Sequence, residues 1–193
     1  MFLYIFLKNI YLWLNQFYAE CILKTERLTL RYIIQDDFEE LKAILRDKEV
    51  MYAWEYDFTD KDVQEWIDKN LELYKMHNLG FFIAAENLSG NIIGQAALKP
   101  DTIEGKQHYE IGYILKKEYW HKGYATEAAR ALKDYAFNTL NLDEVIFEIR
   151  PDNFPSRKVA ENLNAKICGE FVKNVRNKRM THLIYKLSKY TGV

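Results

Sequence analysis

Apolar positions along the chain recur with two periods, and each change of period marks a new element. Residues 27–33 read as a first strand. Phe38, Leu41, Ile44 and Leu45 then share one face of a helix running to about Asp47, with Asp36 and Glu39 at capping-box spacing at its start. Thr59, followed by Asp62, caps a second helix whose Val63, Trp66, Ile67 and Leu71 face inward, and Gly80 is its expected stop. The loop between these helices carries Tyr52, Trp54, Tyr56 and Phe58.

Residues 81–86, 92–99 and 109–115 read as three strands. Ser-Gly-Asn turn chemistry within 87–91 and a polar loop at 101–106 make them antiparallel hairpins. Ala125, Ala128, Ala129, Leu132 and Ala136 return to helical spacing after Gly123. A short buried strand at 145–149 stops at Pro151, and Pro155 opens a helix through 156–163, with Asn164 as a left-handed stop. Residues 167–172 and 180–187 close the chain as a hairpin across 174–178. The order is mixed α/β (α+β): about seven mostly antiparallel strands, four helices, and one strand–helix–strand crossover in the middle.

The first 24 residues stand apart as an apolar, aromatic extension, and residues 25–190 form one domain. The extension lacks a basic segment before its apolar run, and Lys8, Asn9, Asn15 and Gln16 interrupt it, which fits neither a signal peptide nor a membrane span. It is expected to be an extra N-terminal helix docked on the domain or on a partner subunit. A membrane-surface anchor and a mis-assigned translation start are the alternatives. A homodimer is compatible with this reading, and membrane association is not expected.

Composition narrows the function classes. A chain of 193 residues suits one large domain. A formal net charge of −1 lacks the basic footprint of general nucleic-acid binding. Cys21 and Cys168 form no zinc or redox motif, so a reducing cytoplasm is expected and no metal site is read. With three serines in all and no GxSxG or HExxH run, there is little material for a serine triad or a zinc protease.

The informative stretch is EIGYILKKEYWHKGYATEAARALKDYAF, residues 110–137, in which a strand breaks into a charged, aromatic loop and a helix begins at Gly123. The first N–H groups of a helix lack intrahelical acceptors and its dipole favours an anion, so a phosphate fits there; a plain turn is the other reading. GxxxxGK[ST] and GxGxxG are both absent, so neither a nucleoside-triphosphate nor a dinucleotide loop is supported.

This stretch, followed by IRPDNFPSRKVAENLNAKICGEF, resembles the GCN5-related N-acetyltransferase (GNAT) family, specifically its ribosomal-protein N-terminal acetyltransferase branch. The resemblance spans residues 25–187. The family's coenzyme loop, Gln/Arg-x-x-Gly-x-Gly/Ala, corresponds to Trp120–Ala125, with Trp120 in place of the basic or amide residue and His121 where glycine is common. The resemblance implies acetyl-CoA as co-substrate and an amine acceptor as partner. It implies that the backbone of His121, Lys122, Gly123, Tyr124, Ala125 and Thr126 cradles the pyrophosphate, and that Tyr113, Ile114 and Leu115 hold the pantetheine and acetyl carbonyl. Asn153 and Ser156 match the family's Asn-x-x-Ser; Asn153 would bond the pantetheine and Ser156 would donate a hydrogen bond to the departing thiolate, as general acid or through water, while a strand-ending Asn153 and a first-turn polar Ser156 are the other reading. Arg157 and Lys158 could reach the 3′-phosphate or be solvated. An amine acceptor must lose a proton, for which Glu110, on the strand carrying the acetyl group, is the expected base. Tyr52, Trp54 and Tyr56 are expected to wall the acceptor site. The implied reaction is direct transfer to a primary amine, foremost a protein N-terminal α-amine. A small amine (polyamine or aminoglycoside) and a non-catalytic acyl-CoA-binding module are the alternatives.

Overall fold

A strand that reads apolar at every position needs cover on both faces. That is the state of residues 80–85 of β3 (Gly80–Glu86) and, Gln95 apart, of residues 92–98 of β4 (Ile92–Ile103), two strands in the middle of an eight-stranded sheet in the computed structural model of residues 20–189. The other strands are β1 (Cys21–Lys24), β2 (Leu28–Tyr32), β5 (Lys106–Leu115), β6 (Glu144–Ile149), β7 (Lys166–Val175) and β8 (Lys178–Ser188), in the order β1-β2-β3-β4-β5-β6-β8-β7. All neighbours are antiparallel except β5 and β6, which the crossover makes parallel. Four helices pack on it: α1 (Phe38–Leu45), α2 (Asp60–His77), α3 (Tyr124–Asn138) and α4 (Phe154–Asn162). α1 packs on α2 and β4, α2 on β3, and α3 on β4, β5 and β6.

The strand count rises to eight because Cys21–Lys24 pairs with β2, inside the stretch expected as an extension. The expected N-terminal helix otherwise falls outside the described residues. At α1 the cap is Asp37 rather than Asp36. A 3₁₀ turn, Gln35–Asp37, precedes the helix, and the buried Asp37 carboxylate accepts the Ile34 N–H at 2.8 Å and pairs with Arg31 at 2.7 Å. The Thr59–Asp62 capping box forms as expected, with Thr59 N–H donating to Asp62 at 2.7 Å. α2 ends at Asn78, in the left-handed region at φ 55°, and Gly80 instead opens β3, where the Tyr74 ring leaves no room for a Cβ. The expected loop at 101–106 is a tight hairpin: Glu104 and Gly105, both at positive φ, let β4 and β5 stay paired to Ile103↔Lys106. Arg176 and Asn177 turn the last hairpin the same way.

α2 is fastened to the sheet by a buried amide. Asn70 Nδ2 donates to the Trp66 carbonyl at 2.8 Å and its Oδ1 accepts the Phe81 N–H at 2.7 Å, at 3% exposure. Asn70→Ala strands that N–H, and the expected cost is about 2 kcal/mol. Urea unfolding should show a lower midpoint at unchanged slope. A loss under about 0.5 kcal/mol would mean that the N–H finds another acceptor.

Candidate active site

β5 and β6 share a single register pair, Glu110↔Ile146, although β5 stays paired with β4 through Leu115. Beyond that rung the two parallel strands diverge, leaving the Ile111–Leu115 edge of β5 without a strand partner on one side. Two cavities meet in the wedge. A groove of about 610 Å³ runs from the start of α3 past the end of β5 to α4, and a cleft of about 480 Å³ opens over β4–β8 beneath α2. Trp54, Tyr113, Ile114, Asn153 and Ser156 line both.

The groove's polar end is the loop before α3. His121 (φ 58°) and Gly123 (φ 84°) both adopt left-handed conformations, which fold the chain back before the helix begins. The first intrahelical bond is Glu127 N–H to the Gly123 carbonyl, 3.0 Å. The N–H groups of Tyr124, Ala125 and Thr126 therefore have no acceptor within the helix, and all three residues line the groove with His121 and Gly123. Lys122 does not line it; its carbonyl accepts from Arg27 at 2.9 Å and its ammonium lies 5.4 Å from the Tyr119 ring centre.

The loop is braced from three sides. Trp120 donates its indole N–H to the Leu115 carbonyl at 2.8 Å, tying the loop to the end of β5. Glu127 accepts from the Thr25 hydroxyl (2.5 Å), the Arg27 N–H (2.9 Å) and the Arg27 guanidinium (2.6 Å). Burial works to raise the Glu127 pKa, but these donors hold it below the usual carboxylate range. The Tyr124 hydroxyl donates to Glu86, and Arg27 stacks on the Tyr124 ring at 4.4 Å. None of Arg27, Glu86 and Glu127 was flagged by the sequence, because their partners are remote along the chain.

At the wedge's far wall, Asn153 caps α4: its Oδ1 accepts the Ser156 N–H at 3.1 Å and the Tyr52 hydroxyl at 2.8 Å. The Tyr113 hydroxyl donates to the Ser156 carbonyl at 3.1 Å, and burial pushes its phenol above the ordinary tyrosine range. Lys158 lines the groove, whereas Arg157 is engaged with Tyr185 (3.0 Å) and the Pro151 carbonyl (2.9 Å) and so faces away from the expected phosphate. The three loop aromatics separate. Tyr52 lines only the groove, Tyr56 only the cleft, and Trp54 the junction, where it packs edge-on against Tyr56, Phe58 and Trp66.

The cleft floor holds charge. Lys99 pairs with Glu110 and, at 2.7 Å, with Asp101, while Lys173 pairs with Glu148 at 2.7 Å and Asp101 at 3.4 Å. Burial works against the Lys99 ammonium, but Glu110 and Asp101 hold its pKa above the ordinary value. Glu148 is the acid the sequence reading passed over. Its signal was present: a carboxylate inside the otherwise apolar run Val145–Ile149.

The Acetyltransferase (GNAT) domain model matches residues 27–166. The uncharacterized protein YkkB of Bacillus subtilis is 31% identical over 173 residues, which is 89% of this chain and 98% of that one. A crystal structure of a GNAT-family acetyltransferase from Bacillus anthracis superposes with a TM-score of 0.72 at 28% identity, covering 86% of this chain and 97% of the other. A putative ribosomal-protein-serine acetyltransferase from Vibrio cholerae shares the fold at a TM-score of 0.73 and 21% identity, over 89% of this chain and 98% of that one. On its matched domain, its relatives and its diverging strands, this chain belongs to the GNAT acetyltransferase family.

Proposed function

We propose that the protein moves an acetyl group from acetyl-CoA to a primary amine by direct transfer. The observation that carries this reading is the junction itself: acceptorless N–H groups at a helix start feed a groove that ends, in the β5–β6 wedge, against an acid-lined cleft. The groove suits the coenzyme at each step. The N–H groups of Tyr124, Ala125 and Thr126, helped by the α3 dipole, favour a pyrophosphate. Leu115, Trp120 and Val159 offer an apolar wall for a pantetheine arm, and Asn153, whose Oδ1 is already engaged, keeps its NH₂ for an amide carbonyl.

Acetyl-CoA supplies an activated acyl carbon and a thiolate leaving group. The chain's residues do the rest. The edge of β5 left unpaired by β6 orients the carbonyl, and the wall of Trp54 and Tyr56 holds the amine in line. As the new C–N bond forms and the C–S bond breaks, the leaving sulfur takes a proton from the Ser156 hydroxyl, which regains one from solvent. We read the acceptor as a protein α-amine, on the motif resemblance to the ribosomal-protein branch. A small amine is the second reading, favoured by the carboxylates that line the cleft. Mass spectrometry of a pooled reaction containing N-terminal peptides, polyamines and aminoglycosides, with free coenzyme A followed in parallel, decides between them. Coenzyme binding without any acetylated product would overturn the enzyme reading in favour of an acyl-CoA-binding module.

Two substitutions test the groove. Gly123→Asn and Gly123→Asp have nearly the same size and tolerance of positive φ, so they differ in charge. Asp should weaken acetyl-CoA binding by about tenfold or more beyond Asn, equivalent to about 1.4 kcal/mol. Equal affinities by calorimetry would sink the anion-site assignment. Ser156→Ala should lower kcat by about 10- to 100-fold with coenzyme affinity unchanged, and an unaltered kcat would reduce Ser156 to a helix residue.

A further inference from the structure

Of the three loop aromatics expected to wall the acceptor site, Tyr52 alone lines only the groove. It opens the 3₁₀ turn Tyr52–Trp54 and is 46% exposed, a setting in which a tyrosine would ordinarily leave its hydroxyl in water. Instead the hydroxyl donates to Asn153 Oδ1 at 2.8 Å, across 101 positions of chain. Three residues further on, Glu55 pairs with Arg150 at 2.7 Å. These two contacts are side-chain rungs between segments running in opposite directions. They lace the loop between α1 and α2 to the turn that joins β6 to α4. The loop's side of the lacing is itself tied down: the Glu55 carbonyl accepts the Lys178 ammonium at 2.5 Å, and Glu49 pairs with Lys117 at 2.5 Å.

The first rung has a chemical consequence. Asn153 Oδ1 also accepts the Ser156 N–H at 3.1 Å. One hydrogen bond would leave the amide free to swing about it, whereas two donors on one oxygen fix its plane and identify its oxygen end. The Asn153 NH₂ group therefore points one way, and it makes no hydrogen bond among the described residues. Because Asn153 lines both cavities, this spare donor stands at their junction. The first turn of α4 is steadied from the β5 side as well, where the Tyr113 hydroxyl donates to the Ser156 carbonyl at 3.1 Å. Burial first, and the Asp152 charge second, hold the Tyr52 phenol above the ordinary tyrosine range, so it stays protonated and remains a donor at neutral pH.

We infer that Tyr52 is a positioning residue for the coenzyme rather than part of the acceptor wall: by holding Asn153 Oδ1, it presents the Asn153 NH₂ group to an amide carbonyl of the pantetheine arm. Its contribution passes through Asn153, so it is lost when either end of the rung is removed. The inference deepens the acetyl-CoA reading of the groove and rests on it.

Tyr52→Phe deletes the hydroxyl and keeps the ring. In calorimetry on the full chain it should weaken acetyl-CoA binding by about five- to tenfold, the loss of one ordering hydrogen bond. Adenosine 3′,5′-bisphosphate carries the coenzyme's nucleotide end without the pantetheine arm, and its affinity should not change. In an Asn153→Ala background, Tyr52→Phe should have no further effect on acetyl-CoA, because no amide is left to hold. In turnover, the KM for acetyl-CoA should rise while the acceptor's KM stays put. Equal acetyl-CoA affinities in parent and Tyr52→Phe overturn the inference. So does an equal loss for both ligands, which would mean a distorted groove, or an undiminished loss in the Asn153→Ala background. A rise confined to the acceptor's KM would return Tyr52 to the acceptor wall. The expected binding pattern in a protein that acetylates nothing would uphold the role of Tyr52 and overturn the transfer reading. Turnover in the parent with unaltered affinity in Tyr52→Phe would do the reverse, and a parent that binds no acetyl-CoA overturns both.

Discussion

The site depends on two parallel strands that stop being a ladder. Backbone groups in a sheet interior are normally satisfied by the neighbouring strand. β5 and β6 manage this at Glu110↔Ile146 and then separate, while β4 continues to hold β5 through Leu115. Gly94 belongs to this arrangement: it sits opposite Leu115, and a Cβ there would run into the Ile114 carbonyl, so β4 approaches the end of β5 more closely than any other residue allows. The wedge thus opens on the side of β5 opposite this tight packing. A polar backbone edge facing a groove is a recognition surface, and the helix start beyond it extends that surface with further unpaired donors.

The charged cluster under the cleft obeys a different constraint. Gathering five ionisable groups, all but Lys173 largely withdrawn from solvent, is tolerable only if they compensate one another, and isolated buried charges are among the most expensive features a fold can carry. Lys99 and Lys173 each bridge two carboxylates, which ties β4, β5, β6 and β7 together beneath the cleft. The imbalance falls on the strand that has just left its neighbour, so the fold's electrostatic shortfall and its open edge coincide.

Much of this was legible in the sequence because it is local. Periodicity and capping gave the four helices and the central strands, since Thr59–Asp62 and the alanine face of α3 are decided within a few residues. The boundaries that moved did so for tertiary reasons. Gly80 yields the helix stop to Asn78 because the Tyr74 ring packs against it, and the loop at 101–106 shrinks because two positive-φ residues let pairing continue. At the site, Gly123, Asn153 and Ser156 stood out through motif resemblance. The braces did not, because Arg27 and Glu127 become partners only once the turn leading into β2 meets the first turn of α3. Glu148 was readable as an acid in an apolar strand, but its significance depends on Lys173 and Glu110 arriving from other strands.

One of those braces has a consequence for how the loop discriminates. Glu127 lies in the first turn of α3, where its negative charge would oppose any anion approaching the helix start. Arg27 cancels that charge at 2.6 Å and at the same time donates to the loop's Lys122 carbonyl. The sign of the field at the mouth of the groove is therefore set by a counter-ion borrowed from the entry to the second strand. The charge at the loop is thus a composite of two distant segments, so the anion affinity proposed for it would report on whether that segment is docked as well as on the loop's own conformation.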